Sequence, residues 1–508
     1  MIMSLSVFLL TGLPTSSFFL SKYLTQLINE NEHNDTQLAF AIEKENLTAL
    51  NFAWKNSKLH DVQWLKFAKT LAKSQGEAAF QLAIYYQSNP TNAIFWYKSA
   101  IRLHYPEAST ALALLYFQQG NLVTASEILD ALSIESLDKL SDEAIILKVN
   151  IAINQGRVAD VQKLIIEYAQ QLESSKEGRA LLDDIQKYQI PFNDNQALEL
   201  SLVAMSCENS IQLFATSVNH LKHLENLIAD FSQQALNESV CFSPVRYIPI
   251  DSLDCTNEKD ENIQCNEVNW QPWANSVHTR YVGIMLPQGG ANVHFGVLYF
   301  DAEDSVDVVA HEISHLLGFV DEYPLVAEHV KCRAIQDDVF SQNISVLKNS
   351  YKGNRTAIRA SLLKQIAWAK HISNNTPILQ SIENINGEHY WKLGTPEEFK
   401  DETGVFYAQT CNNSTFKLKN GFSAFKPISR RTKLQYSALS FPQLYSELLK
   451  DNLNQHTMPS FHYNIALAYF QKIPFQQKNI EEAKYWLDQA ASKEQDFDRR
   501  KKIRQGGF

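Results

Sequence analysis

The sequence has a deficit of basic residues, no closely spaced cysteine pair and few long apolar runs. Acidic side chains outnumber basic ones by 56 to 46, and the resulting net charge of −10 argues against nucleic acid as a partner. The absence of any C-x-x-C among the six cysteines argues against a zinc-finger type of cluster. Beyond the N-terminus, no apolar run is long enough to form a stable membrane span.

The N-terminus has no charged side chain before Lys22 and carries an apolar run that Gly12 and Pro14 interrupt. This pattern predicts a signal peptide over residues 1–22 and a periplasmic or secreted protein. The cysteines fall within one part of the chain, at Cys207, Cys241, Cys255, Cys265, Cys332 and Cys411. An even number confined to one region predicts disulfides in an exported protein, with reduced thiols in a cytosolic protein as the alternative.

Residues 23–195 are predicted to form successive helices that repeat a pattern of small and aromatic residues. The block Glu77–Tyr86 returns as Glu107–Tyr116, with Ala93–Ala100 between the two copies. The same half-motifs recur near the C-terminus, over Tyr463–Tyr469 and Ala483–Ala490. The A-x-x-W-Y-x-x-A string resembles tetratricopeptide-type repeats of the Sel-one-like kind. That resemblance implies α-helical repeat (solenoid) segments over residues 23–195 and 456–508, which act as a scaffold or bind a protein partner.

The most specific pattern is H-E-x-x-H-x-x-G-x-x-D, which begins at His311. On a helix, His311 and His315 project from the same face one turn apart, so both imidazoles reach one metal ion. Glu312 then lies beside the ion, where its carboxylate holds a water molecule and takes its proton as a general base. These residue types at this spacing predict a zinc (Zn²⁺) site.

A third ligand is predicted where the chain returns past the end of this helix. Gly318 permits positive φ and a sharp turn, and Asp321 follows three residues later. Asp321 is therefore the predicted third metal ligand, and Glu322 and Glu328 are its rivals.

This stretch resembles the metzincin zinc metallopeptidases, with Asp321 in place of their usual third histidine, as in snapalysin-type bacterial members. Asp321-Glu322-Tyr323 is also similar to the D-E-Y of the IgA-peptidase-like bacterial family. The resemblance implies an α+β fold, in which a zincin-like metallopeptidase domain over residues 196–455 has a small mixed sheet and an active-site helix. It also implies a peptide or protein substrate.

The predicted strands of this domain are Val245–Ile250, His278–Leu286 and Ala291–Phe300, and residues 195–240 are predicted to be helical. In metzincin-like proteins, the strand before the active helix forms the edge of the cleft. The resemblance therefore assigns residues 291–299 to that edge, where an extended peptide adds to the sheet. His294 is predicted to face solvent there.

Metzincins also place a methionine in a turn beneath the metal, yet this chain has no methionine between Met285 and Met458. The nearest match is Thr432–Tyr436, in which Leu434 takes the methionine position. The resemblance then implies that Tyr436 is a catalytic residue that hydrogen-bonds the metal or the developing oxyanion. Cys411–Asn413 is a rival position for this turn.

Two functions follow from these patterns. The first is a zinc-dependent peptidase in which Glu312 is the general base. The alternative is a non-catalytic helical-repeat interaction protein with a degenerate or structural metal site. The intact Glu312 favours the enzyme, because a structural site needs no base.

Overall fold

The computed structural model describes residues 19–135, 140–190, 207–256, 258–259, 261–325, 339–382, 390–411, 421–452, 455–471 and 477–508. The chain divides into two compact units, Met1–Ile151 with Lys163–Arg179, and Ala152–Gln162 with Ala180–Phe508. The α+β class is confirmed, because helices alone occupy the described chain up to residue 190 and strands follow. No helix within the described ranges is long and apolar enough to cross a membrane.

Consecutive helices form the N-terminal part, as the repeated small residues predict. They include Asp35–Glu43, Leu47–Asn56, Val62–Leu71, Gly76–Tyr85, Pro90–Arg102, Ala108–Gln118, Leu122–Glu135, Asp142–Asn154, Val158–Glu167, Ala169–Ser174 and Lys176–Lys187. Alanines at the repeated positions are fully buried, among them Ala79, Ala93 and Ala113. Because alanine ends at Cβ, helices approach closely there, and Trp96 and Tyr97 fill the remaining space.

The second unit contains all the described strands. They are β1 (Ser210–Ala215), β2 (Cys241–Phe242), β3 (Arg246–Tyr247), β4 (Cys255–Thr256), β5 (Gln264–Cys265), β6 (Tyr281–Leu286), β7 (Asn292–His294), β8 (Val297–Asp301), β9 (Ser345–Lys348), β10 (Ser350–Lys352), β11 (Leu379–Ile382), β12 (Tyr390–Leu393), β13 (Phe406–Tyr407) and β14 (Phe422–Lys426). Its helices are Val218–Phe231, Gln271–Ala274, Val306–Leu316, Arg355–Leu363, Gln443–Asn452, Phe461–Gln471, Gln477–Ser492 and Phe497–Arg504.

The largest sheet has six strands in the order β2–β1–β6–β8–β7, with β3 also paired to β1. β1, β6 and β8 run parallel, and β7 is antiparallel to β8 at the edge. β1 and β6 are buried along their whole length. Smaller antiparallel sheets join β10–β12–β11, β13–β14–β9 and β4–β5.

The C-terminal helices cover one face of the large sheet. Ile284 of β6 and Tyr299 of β8 share a core with Phe461 and Trp486 of those helices. The C-terminal helices and the sheet belong to the same compact unit. The helical form predicted for this segment is present.

A buried ion-pair cluster holds the C-terminal helices to the sheet. Arg280, just before β6, lies 2.6 Å from Glu494, and both side chains are almost inaccessible to water. Arg499 contacts the other carboxylate oxygen of Glu494 at 2.8 Å. Arg280 also donates to the carbonyl of Met458 at 3.0 Å, which fixes the segment that leads into these helices.

Two predictions of local structure are wrong. Residues 195–240 were predicted to be helical, but β1 lies within them, followed by the helix Val218–Phe231. β1 is short and buried at every position, including the polar Ser210 and Gln212, so no alternation of exposed and buried residues distinguishes it from a buried helical segment. The single strand predicted over Ala291–Phe300 is a hairpin of β7 and β8, whose turn at Phe295 and Gly296 has φ of 35° and 86°.

Disulfides are present, as the cysteine distribution predicts. Cys207 is bonded to Cys241, Cys255 is bonded to Cys265, and Cys411 is also disulfide-bonded. The Cys255–Cys265 bond closes the loop between β4 and β5. Cys332, the predicted signal peptide up to residue 18 and the rival ligand Glu328 lie outside the described residues.

Candidate metal centre

The H-E-x-x-H segment lies on the helix Val306–Leu316, here called the motif helix. Ser305 caps its start by accepting a hydrogen bond from the backbone N–H of Val308 at 3.4 Å. Gly318 ends it with φ of 89°, the positive value that the sequence predicts. A Cβ at Gly318 would lie 2.4 Å from the carbonyl oxygen of His456, so the close approach also requires glycine.

Three predicted ligand atoms converge beside the motif helix. His311 Nε2 and His315 Nε2 are 3.2 Å apart, and Asp321 Oδ1 lies 3.1 Å from the first and 3.2 Å from the second. Tetrahedral zinc with bonds of about 2.0 Å separates its ligand atoms by about 3.3 Å. The three atoms are therefore spaced as three corners of such a tetrahedron.

The other ring nitrogen of each histidine faces a backbone carbonyl. His311 Nδ1 is 2.7 Å from the oxygen of Lys433, and His315 Nδ1 is 3.1 Å from the oxygen of Phe319. Because a carbonyl oxygen only accepts hydrogen bonds, each Nδ1 carries a hydrogen and each Nε2 is directed toward Asp321. Such contacts orient histidine ligands in metal sites.

Asp321 Oδ1 is buried and accepts no hydrogen bond with acceptable geometry from the described residues. An unsatisfied buried carboxylate oxygen is costly unless a cation occupies the adjacent space. Together with the two Nε2 atoms, it forms a donor set of the kind that zinc prefers, so the residues fit a metal ion.

The electrostatics of the cluster favour a positive charge among its three groups. Burial disfavours a charged imidazole, but the Asp321 carboxylate outweighs burial and raises the pKa of His315 to about 9. Burial would raise the pKa of Asp321, but His315 and His311 outweigh it and hold that pKa far below its usual range. Either a proton or a metal ion would supply the positive charge that the cluster favours.

Glu312 faces the same space. One of its carboxylate oxygens lies within 4.8 Å of a ring nitrogen of His311 and of His315. Burial raises the pKa of Glu312, the two histidines oppose that shift, and the carboxylates of Asp321 and Asp304 add to it. A carboxylate whose pKa is raised toward neutrality is a stronger base than a free one.

Glu322, the rival third ligand, faces away from the cluster into a buried network. Its side chain is fully buried and lies 2.7 Å from Lys426 Nζ. Tyr445 donates its hydroxyl hydrogen to Glu322, and Asn343 Nδ2 donates to the same oxygen at 3.3 Å. Glu322 is therefore committed to structural contacts, and Asp321 is the acidic residue of this loop that faces the histidines.

The turn over Thr432–Tyr436 contacts the site through its backbone. The backbone oxygen of Lys433 accepts a hydrogen bond from His311 Nδ1. The backbone oxygen of Leu434 accepts a hydrogen bond from the backbone N–H of Glu322 at 2.9 Å. Leu434 is fully buried, as expected of an apolar floor. Tyr436 is 52% exposed beneath the Arg431 guanidinium, and its catalytic role stays a prediction. The rival turn extends into residues 412–420, outside the described chain.

A tyrosine that the sequence analysis did not assign to the site is part of it. Burial, the Asp321 carboxylate and Glu312 all raise the pKa of Tyr323. Its ring lies nearly parallel to that of His311, at 13° and with centroids 6.3 Å apart. The available signal was its position two residues after Asp321 in the same short segment.

No protein-family model matches this chain, and no curated protein matches it significantly. A functional conclusion therefore depends on the geometry of the site.

Proposed function

We propose that this protein is a zinc-dependent peptidase of the zincin-like type. The observation that carries the proposal is the convergence of His311 Nε2, His315 Nε2 and Asp321 Oδ1 at 3.1 to 3.2 Å, with Glu312 beside them. A zinc ion held by these atoms would lower the pKa of the attacking water and polarise the scissile carbonyl.

The surrounding residues support this chemistry. Glu312 is positioned to take a proton from water at its carboxylate and to deliver it to the leaving amine. The carbonyls of Lys433 and Phe319 hold the imidazole rings in the required orientation. The short turn at Gly318 brings Asp321 back to the motif helix, and the anchored Glu322 holds that position.

The edge strand β7 supports a peptide substrate. It lies antiparallel at the border of the sheet, and the motif helix packs against it. His294 at its end is exposed, as predicted. The loop closed by the Cys255–Cys265 disulfide is hydrogen-bonded to Gly290, just before β7. The backbone N–H of Gly290 donates to the backbone oxygen of Glu261 at 2.7 Å. An extended peptide therefore has β7 itself, rather than the preceding residues, available for strand addition.

The test combines metal content with hydrolysis. We expect one zinc per chain in the purified protein and loss of that zinc in Asp321→Ala. Glu312→Gln is expected to keep its zinc and lose peptide hydrolysis by about 100-fold or more. Glu303→Gln, which removes an exposed carboxylate just before the motif helix, is the matched control.

A folded protein that binds no zinc after reconstitution would overturn the proposal. Unchanged hydrolysis in Glu312→Gln would do the same for the assigned base. Export of the chain and a protein partner on the helical repeats remain predictions from the sequence.

A further inference from the structure

We infer that the ion pair between Asp307 and Lys433 positions His311 as a metal ligand. The two side chains act through His311 rather than on the metal, so both belong to positioning residues. This inference rests on the proposed metal site and names the contact that holds one of its ligands in place.

Lys433 contacts the motif helix twice, once with its backbone and once with its side chain. Its backbone oxygen lies 2.7 Å from His311 Nδ1, and its Nζ donates to Asp307 Oδ1 at 2.7 Å. Asp307 precedes His311 by four residues, so both project from the same face of the helix, one turn apart. The two contacts therefore join one residue of the Thr432–Tyr436 turn to two successive turns of the motif helix.

The Lys433 ammonium group is buried and depends on Asp307 for its counter-charge. The Lys433 side chain is 3% exposed, whereas that of Asp307 is 42% exposed. Nζ also donates to the backbone oxygen of Ser437 at 2.6 Å, and Gln234 Nε2 donates to Asp307 Oδ1 at 3.1 Å. Of the two acceptors that Nζ contacts, only Asp307 carries the negative charge that a buried ammonium needs.

The consequence of this pair concerns the orientation of the His311 ring. A hydrogen bond from Nδ1 to a carbonyl fixes the direction of Nε2 only while that carbonyl stays in place. An ion pair is stronger than a neutral hydrogen bond, so the contact with Asp307 holds Lys433 more firmly than the contact with His311 does. Loss of the pair should therefore weaken metal binding, although it removes neither a ligand nor the carbonyl.

The test separates ligand orientation from overall stability. Zinc affinity of the full-length protein is measured by competition with a chromophoric chelator, and stability by urea unfolding of the metal-free protein. The variants are Asp307→Asn alone and Asp307→Asn combined with Lys433→Met. Both keep the backbone oxygen of residue 433. Glu303→Gln, which removes an exposed carboxylate just before the motif helix, is the control for lost negative charge near the metal.

We expect Asp307→Asn to unfold at a lower urea concentration and to bind zinc about 10-fold more weakly than the wild type. Adding Lys433→Met removes the unpaired buried charge, so the urea midpoint should recover. The zinc affinity of the double variant should stay about 10-fold below that of the wild type, because the contact between the turn and the helix is still missing. Asp307→Glu, which keeps a carboxylate at this partly exposed position, should keep most of the affinity.

A zinc affinity that recovers together with stability in the double variant would overturn the inference, because the pair would then contribute to folding alone. Affinities of both variants equal to that of Glu303→Gln would overturn it as well. Failure of the metal site gives a different result, since a folded wild type that binds no zinc refutes the proposed function before the ion pair is tested. Should Asp307→Asn fail to fold, the double variant and Asp307→Glu still decide the question.

Discussion

Replacing Glu322 by glutamine is expected to destabilise the protein by about 3 to 5 kcal/mol, because it leaves a buried lysine without its counter-charge. Lys426 Nζ lies 2.7 Å from the Glu322 carboxylate, and the two side chains are 5% and 0% exposed. Lys426 also donates to the oxygen of Arg430, but a carbonyl supplies no formal negative charge. Glutamine has nearly the same shape as glutamate, so the loss reports charge rather than packing.

The assay is urea unfolding in the presence of a chelator, so that bound metal does not contribute to stability. Lys426→Met is expected to be destabilising as well, whereas Glu322→Gln combined with Lys426→Met should be more stable than Glu322→Gln alone. Glu397→Gln, at the exposed pair with Lys400, is the control and should change stability by less than about 1 kcal/mol. A Glu322→Gln loss no larger than the control would refute the reasoning.

Three further predictions concern the packing around the site. Gly318→Ala should lower the free energy of unfolding by about 1 to 3 kcal/mol more than Gly353→Ala does. Both glycines have positive φ, but a Cβ at Gly353 meets open space. Equal urea midpoints for the two variants would contradict this. Burial lowers the pKa of His462 from 6.5 to about 3, so the unfolded chain binds a proton that the folded chain refuses. Stability from this residue is therefore complete above about pH 6.5 and falls as the pH drops toward 3, by about 3 kcal/mol at about pH 4.5. His462→Gln should reduce the difference in stability measured between about pH 7.5 and about pH 4.5, and His294→Gln, at the exposed end of β7, should not. A stop codon after Asn452 should abolish folding of the second unit, because Ile284 and Tyr299 lose the C-terminal helices that pack on them. Circular dichroism and limited proteolysis would detect the loss, and a stable, protease-resistant fragment would contradict the prediction.

The parts of the site that the sequence predicts are those set by short-range geometry. A helix places His311 and His315 one turn apart whatever surrounds it, and glycine at Gly318 allows the turn that returns Asp321. The choice between Asp321 and Glu322 was open in the sequence, because either carboxylate is close enough along the chain. The structure distinguishes the two, because Lys426 and Tyr445 hold Glu322 in the interior while Asp321 Oδ1 lies 3.1 and 3.2 Å from the histidine nitrogens.

The parts that the sequence did not predict depend on distant residues. The carbonyl that orients His311 belongs to Lys433, 122 positions away, and no local pattern specifies that contact. β1 was mistaken for helix because it is only six residues long and buried at every position, so even its polar residues do not mark a solvent-facing side. The hairpin of β7 and β8 was read as one strand because Phe295 adopts positive φ, which a bulky aromatic residue rarely does.

The order Asp-Glu-Tyr has a physical explanation in this setting. Asp321 and Tyr323 lie beside the histidines, whereas Glu322 between them is turned into the buried interior. Placing the longer Glu322 inward lets it reach Lys426, Tyr445 and Asn343, and these contacts fix the backbone between the two outward residues. The same three positions thus provide a carboxylate beside the histidines, a buried anchor and a ring that lies nearly parallel to that of His311. An insertion of one residue between Asp321 and Glu322 would separate the carboxylate beside the histidines from the residue that anchors it in the buried network.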